Sequence, residues 1–165
     1  MIRKAWPDDI EGLMPLAERF FSASPWAKVA PFDADGMRAG LSNILAADHA
    51  AIFVIVSPEG SVSGACGCIV CPSWIAPKMM VAQELFWWVE PEASRDALKV
   101  WAATEAWASE AGADIFVMVR IEGMRNDELH RLYERRGYNA IEHTYVRPLR
   151  QGQWQVSPQD LSSEG

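Results

Sequence analysis

The residues able to do chemistry in this chain fall into a few clusters. Glu84 stands directly before an aromatic run, Leu85-Phe86-Trp87-Trp88-Val89. A carboxylate held beside apolar rings is pushed toward its neutral form, which suits it to exchanging a proton near neutral pH. The rival reading of Glu84 is a structural ion pair or a place at a sheet edge. Glu90, just past the same run, is a weaker candidate of the same kind. Tyr133 follows His130 by one helical turn, so a phenol and an imidazole share a face that is either reactive or a solvated polar surface. Cys66-x-Cys68-x-x-Cys71 groups three thiols. Zinc would want a fourth ligand, and His49, His130 and His143 are all distant in sequence; alternation along a strand makes buried free thiols the simpler reading. Arg131, Arg135 and Arg136, with Arg147 and Arg150, form a basic cluster that either binds phosphates or balances an acidic body.

Other chemistries are not indicated. The chain has no Gly-rich phosphate loop of the GxxxxGK type, no Gly-x-Ser-x-Gly elbow, no His-Glu-x-x-His and no calcium loop. A net charge of −7 argues against a general binder of nucleic-acid backbones. An odd set of three cysteines is not a disulfide framework. Neither a membrane-spanning run nor a signal-peptide core is seen behind the start Met1-Ile2-Arg3-Lys4-Ala5-Trp6-Pro7, so the expectation is a soluble, cytoplasmic protein. With 165 residues, half of them hydrophobic, one domain with a substantial core is expected.

The elements that must position these residues can be read in order. Ile2 to Ala5 predicts a short strand, and Pro7-Asp8-Asp9 supplies helix-start chemistry. Ile10, Leu13, Met14, Leu16, Ala17, Phe20 and Phe21 then recur at helical spacing. Asp33 is placed to cap a second helix with Met37, Leu41, Ile44 and Leu45 on its buried stripe. Ala51 to Val56 and Ser63 to Cys71 predict a hairpin about Ser57-Pro58-Glu59-Gly60, and Val81 to Val89 another strand. Pro91 opens a long helix that Gly112 closes. Ile115 to Val119 reads as a buried strand, Asn126 or Asp127 caps a helix ended by Gly137, and Asn139 to Val146 reads as the last strand. The result is β-α-α-β-β-β-α-β-α-β, an α/β (α+β) mixed sheet with helices on both faces, then a polar tail over 149–165.

That order, together with two segments, resembles the GNAT superfamily of acyl-CoA-dependent N-acyltransferases over roughly residues 1–148. One segment is Glu84-Leu85-Phe86-Trp87-Trp88-Val89-Glu90-Pro91-Glu92 with Ala93-Ser94-Arg95-Asp96-Ala97-Leu98. The other runs from Asn126 to Tyr138, where the Asn126–Tyr133 spacing and the ending Leu132-Tyr133-Glu134-Arg135-Arg136-Gly137-Tyr138 match the family's helix. The wording of the first segment also resembles GNAT-like proteins of bacteriophages and prophages.

The resemblance implies a sheet of about six to seven strands and transfer of an acetyl group from acetyl-CoA to a small-molecule or peptide amine. It implies Tyr133 as the acid that protonates the departing thiolate, the rival being a tyrosine packed under the sheet. Asn126 would contact the pantetheine arm, or serve only as a helix cap. Glu84 would be the base, and backbone N–H groups along Phe86, Trp87, Trp88 and Val89 would polarise the thioester. Ser94, Arg95, Asp96 and Ala97 stand where the family's glycine-containing pyrophosphate loop belongs. Here the sequence departs from the pattern: no glycine lies between Gly67 and Gly112, and Glu92 and Asp96 would repel a diphosphate that only Arg95 attracts. That departure keeps open a non-catalytic binding or assembly module of the same fold. Eight tryptophans, with Trp26 and Trp74 in loops and Trp154 in the tail, point to an aromatic groove or a protein interface, most simply a homodimer.

Overall fold

The computed structural model describes residues 1–124, 126–146 and 149. The expected helix and strand signals appear in order: β1 (Ile2–Lys4), α1 (Ile10–Ala23), α2 (Ala34–Ala46), β2 (Ala50–Val56), β3 (Val62–Pro72), β4 (Met80–Val89), α3 (Ala97–Glu110), β5 (Ile115–Val117) and α4 (Asn126–Arg135). Local chemistry explains several boundaries. The Asp33 carboxylate accepts the Gly36 N–H at 2.9 Å, capping α2. Gly112 after α3 and Gly137 after α4 have φ of 89° and 85°, the left-handed conformation that ends helices.

The strands form one mixed sheet in the order β1-β2-β3-β4-β5. β1 to β4 are antiparallel neighbours, and β5 joins β4 in parallel. Six to seven strands were expected, and five are present among the described residues. The missing one is Asn139–Val146, which carries no strand pairing; Ile141 and Tyr145 are exposed. Alternation prepares a segment for a sheet, but only a partner's ladder makes it a strand. The tail expected over 149–165 lies outside the described residues apart from Leu149.

The chain divides into two compact units, Met1–Glu18 with Asp33–Val119, and Arg19–Phe32 with Arg120–Gly165. In the first, α3 packs on one sheet face, where Val100 and Ala108 meet Ile55, Cys66, Cys68, Val70 and Ala82. α2 packs against β2, whose oppositely facing Ile52 and Val54 are fully buried, so both faces are covered. The second holds the ring contacts Phe21–Phe32 at 5.5 Å and Tyr133–Tyr138 at 5.9 Å. No helix among the described residues is long and apolar enough to cross a membrane.

β3 is built from small residues for a reason visible at its neighbours. A Cβ on Gly67 would stand 2.8 Å from Phe86 Cε1, and one on Gly64 3.0 Å from Val89 Cγ2. We therefore expect Gly67→Ala to destabilise the protein by about 1–3 kcal/mol, since the ring must leave its place over the strand. Gly40→Ala, in α2 with open space around it, should stabilise by about 0.5–1 kcal/mol. Paired urea melts check both signs.

Candidate active site

The β4–β5 ladder is short. Val81 pairs with Ile115, Ala82 with Phe116 and Gln83 with Val117, and there it stops. β3 stays paired to β4 as far as Gly64 opposite Val89, with a register shift at Gly67/Cys68 that leaves Leu85 unpaired on β4. Past Gln83, β4 is therefore flanked by a strand on one side only among the described residues. Continuing the parallel register would set Val119 opposite Leu85. Instead the Val119 N–H donates to Glu84 Oε2 at 2.8 Å. A side chain thus takes the donor that a longer ladder would use, and the two strands part at this point.

Glu84 is 6% exposed. Burial pushes its carboxyl up to about 7, and the Val119 N–H opposes this in smaller measure. The ion pair considered from sequence is not what holds it; the partner found is a backbone N–H at the end of the sheet pairing. Cys68 lies directly across on β3, with Cys66 two residues along on the same face. Burial pushes the Cys68 thiol up to about 12, with Glu84 adding to the shift, and burial also raises Cys66. Both are neutral, buried and free, which removes them as nucleophiles. No group of three or more potential metal ligands occurs among the described residues.

The open side of β4 follows from strand alternation. Glu90 donates its N–H to Ser63 on β3. Successive residues turn their peptide groups to opposite sides, so Trp87 and Val89 direct theirs away from β3, while Trp88 between them faces β3. The side chains split as neighbours on a strand must. Trp87 lies on the α3 face, 5.2 Å from the fully buried Trp101, and its Nε1 is buried without a hydrogen-bond partner. Trp88 Nε1 donates to Glu90 Oε1 at 3.0 Å, so the second candidate carboxylate is engaged by an indole.

After β4 the chain does not form an open loop. Pro91–Asp96 is a 3₁₀ turn running straight into α3. Ala93 N–H is spent on the Glu90 carbonyl and Ala97 N–H on that of Ser94. Glu92 occupies the first turn. Asp96 bonds Lys99 Nζ at 2.6 Å, while Arg95 stands 4.0 Å from Asp96 with its side chain in solvent. Lys99 and Arg95 hold the Asp96 carboxyl below the usual range, with the Lys99 hydrogen bond the largest cause. Asp96 thus carries its negative charge at neutral pH.

Glu84, Trp87, Trp88, Val89, Ser94, Arg95, Asp96 and Ala97 all belong to the first unit; Asn126 and Tyr133 lie on α4 in the second. Tyr133 is buried, 9% exposed, and its carbonyl receives the N–H groups of Arg136 and Tyr138. His130, its suggested companion, lies 3.4 Å from Glu134. Of the basic cluster, Arg131, Arg135 and Arg136 are exposed on or just after α4; Arg147 and Arg150 lie outside the described residues. Two features of the site escaped sequence reading: the unpaired Leu85 and the Val119–Glu84 bond. Neither depends on a residue type that marks it.

No family model and no curated protein matches the chain. Solved structures do. AAC(6')-Iy in complex with the bisubstrate analog CoA-S-monomethyl-acetylneamine superimposes with a TM-score of 0.71 at 19% identity, covering 91% of this chain and 97% of that one. The aminoglycoside 6'-N-acetyltransferase AAC(6')-Ih from Acinetobacter baumannii gives 0.70 at 13% identity, over 92% and 99%. An acetyltransferase from Trypanosoma brucei gives 0.68 at 14% identity, over 90% and 99%. The resemblance to GNAT acetyltransferases therefore holds at the level of fold.

The buried carboxyl makes stability depend on pH with a definite sign. Its folded value of about 7 lies above the ordinary 4.5, so the native state holds a proton that the unfolded chain releases. Stability is then lost as pH rises through that window, by about 3 kcal/mol in all. Glu84→Gln stays neutral and can still accept the Val119 N–H. Its stability relative to the parent should climb between pH 5 and pH 8 in urea melts; parallel profiles would mean that folding does not raise the pKa of Glu84.

Proposed function

We propose that this chain, which carries the acetyltransferase fold, is a GNAT-type N-acetyltransferase moving an acetyl group from a CoA-type thioester to an amine by direct attack. The observation that carries this reading is the parting of β4 and β5 after Gln83 and Val117. The Trp87 and Val89 peptide groups turn away from β3 on the strand that also carries a buried carboxyl poised near neutrality. Such peptide groups suit the amides of a pantetheine arm and a polarised thioester carbonyl. AAC(6')-Iy, of like fold, is known with CoA, which supports a donor of this class.

In the reaction, Glu84 takes a proton from the ammonium acceptor, so that the free amine can form the C–N bond as the C–S bond breaks. Tyr133 gives its proton to the departing sulfur, and the second proton that the nitrogen loses as the amide forms restores the phenol; this role rests on the Asn126–Tyr138 motif, as does contact of Asn126 with the arm. The acceptor is an amine, in keeping with aminoglycoside acetyltransferases among the structures of like fold and with the net charge of −7, which favours cations. We place the protein in the cytoplasm as a homodimer.

A second reading keeps the fold without the chemistry: a binding or assembly module, of phage origin by the resemblance of its β4 segment. The 3₁₀ turn at Pro91–Asp96 favours it, as do the exposed Trp74 and Trp26. Calorimetric titration with acetyl-CoA, followed by an amine screen, separates the two. On the enzyme reading, Tyr133→Phe lowers turnover by about 100-fold, the usual scale for loss of a general acid, and leaves donor affinity unchanged. Unchanged turnover removes Tyr133 from the mechanism.

A further inference from the structure

The two ends of the site differ in what they offer a CoA-type donor. The parting of β4 from β5 presents the peptide groups of Trp87 and Val89 on the side away from β3. The turn that follows offers a diphosphate very little. A helix N-terminus binds phosphate through amides that lack partners. Here the 3₁₀ turn extends α3 backward to Pro91, which has no N–H, and uses the Ala93 and Ala97 amides on its own carbonyls. Glu92 already sits at the positive end of the dipole. Asp96, at the junction with α3, holds Lys99 at 2.6 Å and has Arg95 4.0 Å away, so the two nearest cations share one carboxylate and Glu92 offsets the charge that remains. No glycine lets the backbone close on an anion between Gly67 and Gly112.

We infer that this chain recognises its thioester donor through the acyl-pantetheine arm alone, with Glu92 and Asp96 and the closed 3₁₀ turn excluding the nucleotide diphosphate from binding. The inference rests on the transferase reading and narrows its donor. It makes the donor class any acyl-pantetheine thioester, whether or not a nucleotide is attached. Discrimination falls to the strand edge, where peptide groups read amides rather than charge.

The test compares acetyl-CoA with acetyl-pantetheine by calorimetry on the full chain, with ATP as a control for the nucleotide end. The expected result is affinities within about threefold of one another and no ATP binding. The double variant Glu92→Gln with Asp96→Asn should then tighten acetyl-CoA about fivefold, as removal of one exposed and one half-buried charge allows, and leave acetyl-pantetheine where it was. Acetyl-CoA binding tenfold or more tightly than acetyl-pantetheine in the parent overturns the inference while leaving the transferase reading standing. An unmoved acetyl-CoA affinity in the folded double variant overturns the part given to the two carboxylates. If neither thioester binds to folded protein, the transferase reading falls and the inference with it.

Discussion

A strand of small residues laid between strands of large ones is the constraint on which the first unit depends. Ala65, Cys66, Gly67 and Cys68 of β3 lie between Ile52 and Val54 of β2 and the aromatics of β4. At Gly67 and Gly64 the neighbouring side chains approach too closely for a Cβ to fit without something shifting. Close packing of this kind lets Phe86 lie over the strand on one face and Trp87 reach Trp101 on the other. Cysteine suits two of these positions as a small hydrophobe, and its thiol stays neutral because burial disfavours the thiolate.

The same unit accepts a cost where β4 and β5 part. An acid buried to 6% exposure would be expensive anywhere else in the core. Here it accepts the Val119 N–H at 2.8 Å where the ladder breaks off, a bond that offsets part of that cost. The carboxyl and the parted strands are thus two sides of one arrangement. A buried carboxyl comes to stand on β4 just where, among the described residues, the pairing with β5 ends.

The candidate site joins features that favour opposite readings. The strand edge turns the Trp87 and Val89 peptide groups away from β3, while the turn at Pro91–Asp96 is filled with its own hydrogen bonds and its own carboxylates. These need not conflict. A nucleotide diphosphate lies far from the reacting carbon, and a remote group lends its binding energy only where a protein has built a site for it.

Much of the fold was legible in the residues, because periodicity and capping are local. The stripe from Ile10 to Phe21, the Asp33 cap, the hairpin about Ser57–Gly60 and the glycines at 112 and 137 all act within a few residues of themselves, and the elements appear where these signals lie. The sequence also shows Glu84 next to a run of rings, and Glu92 and Asp96 in a stretch without glycine. Tertiary structure decided what depends on partners distant in sequence. Asn139–Val146 has the alternation of a strand but no ladder, and β5 stops at Val117, short of the expected Val119. The residue across from Glu84's carboxyl is 35 positions away. Hydrogen bonds between strands, and the pKa values that burial imposes, arise only once segments far apart in the chain are brought together, and no spacing along the sequence encodes them.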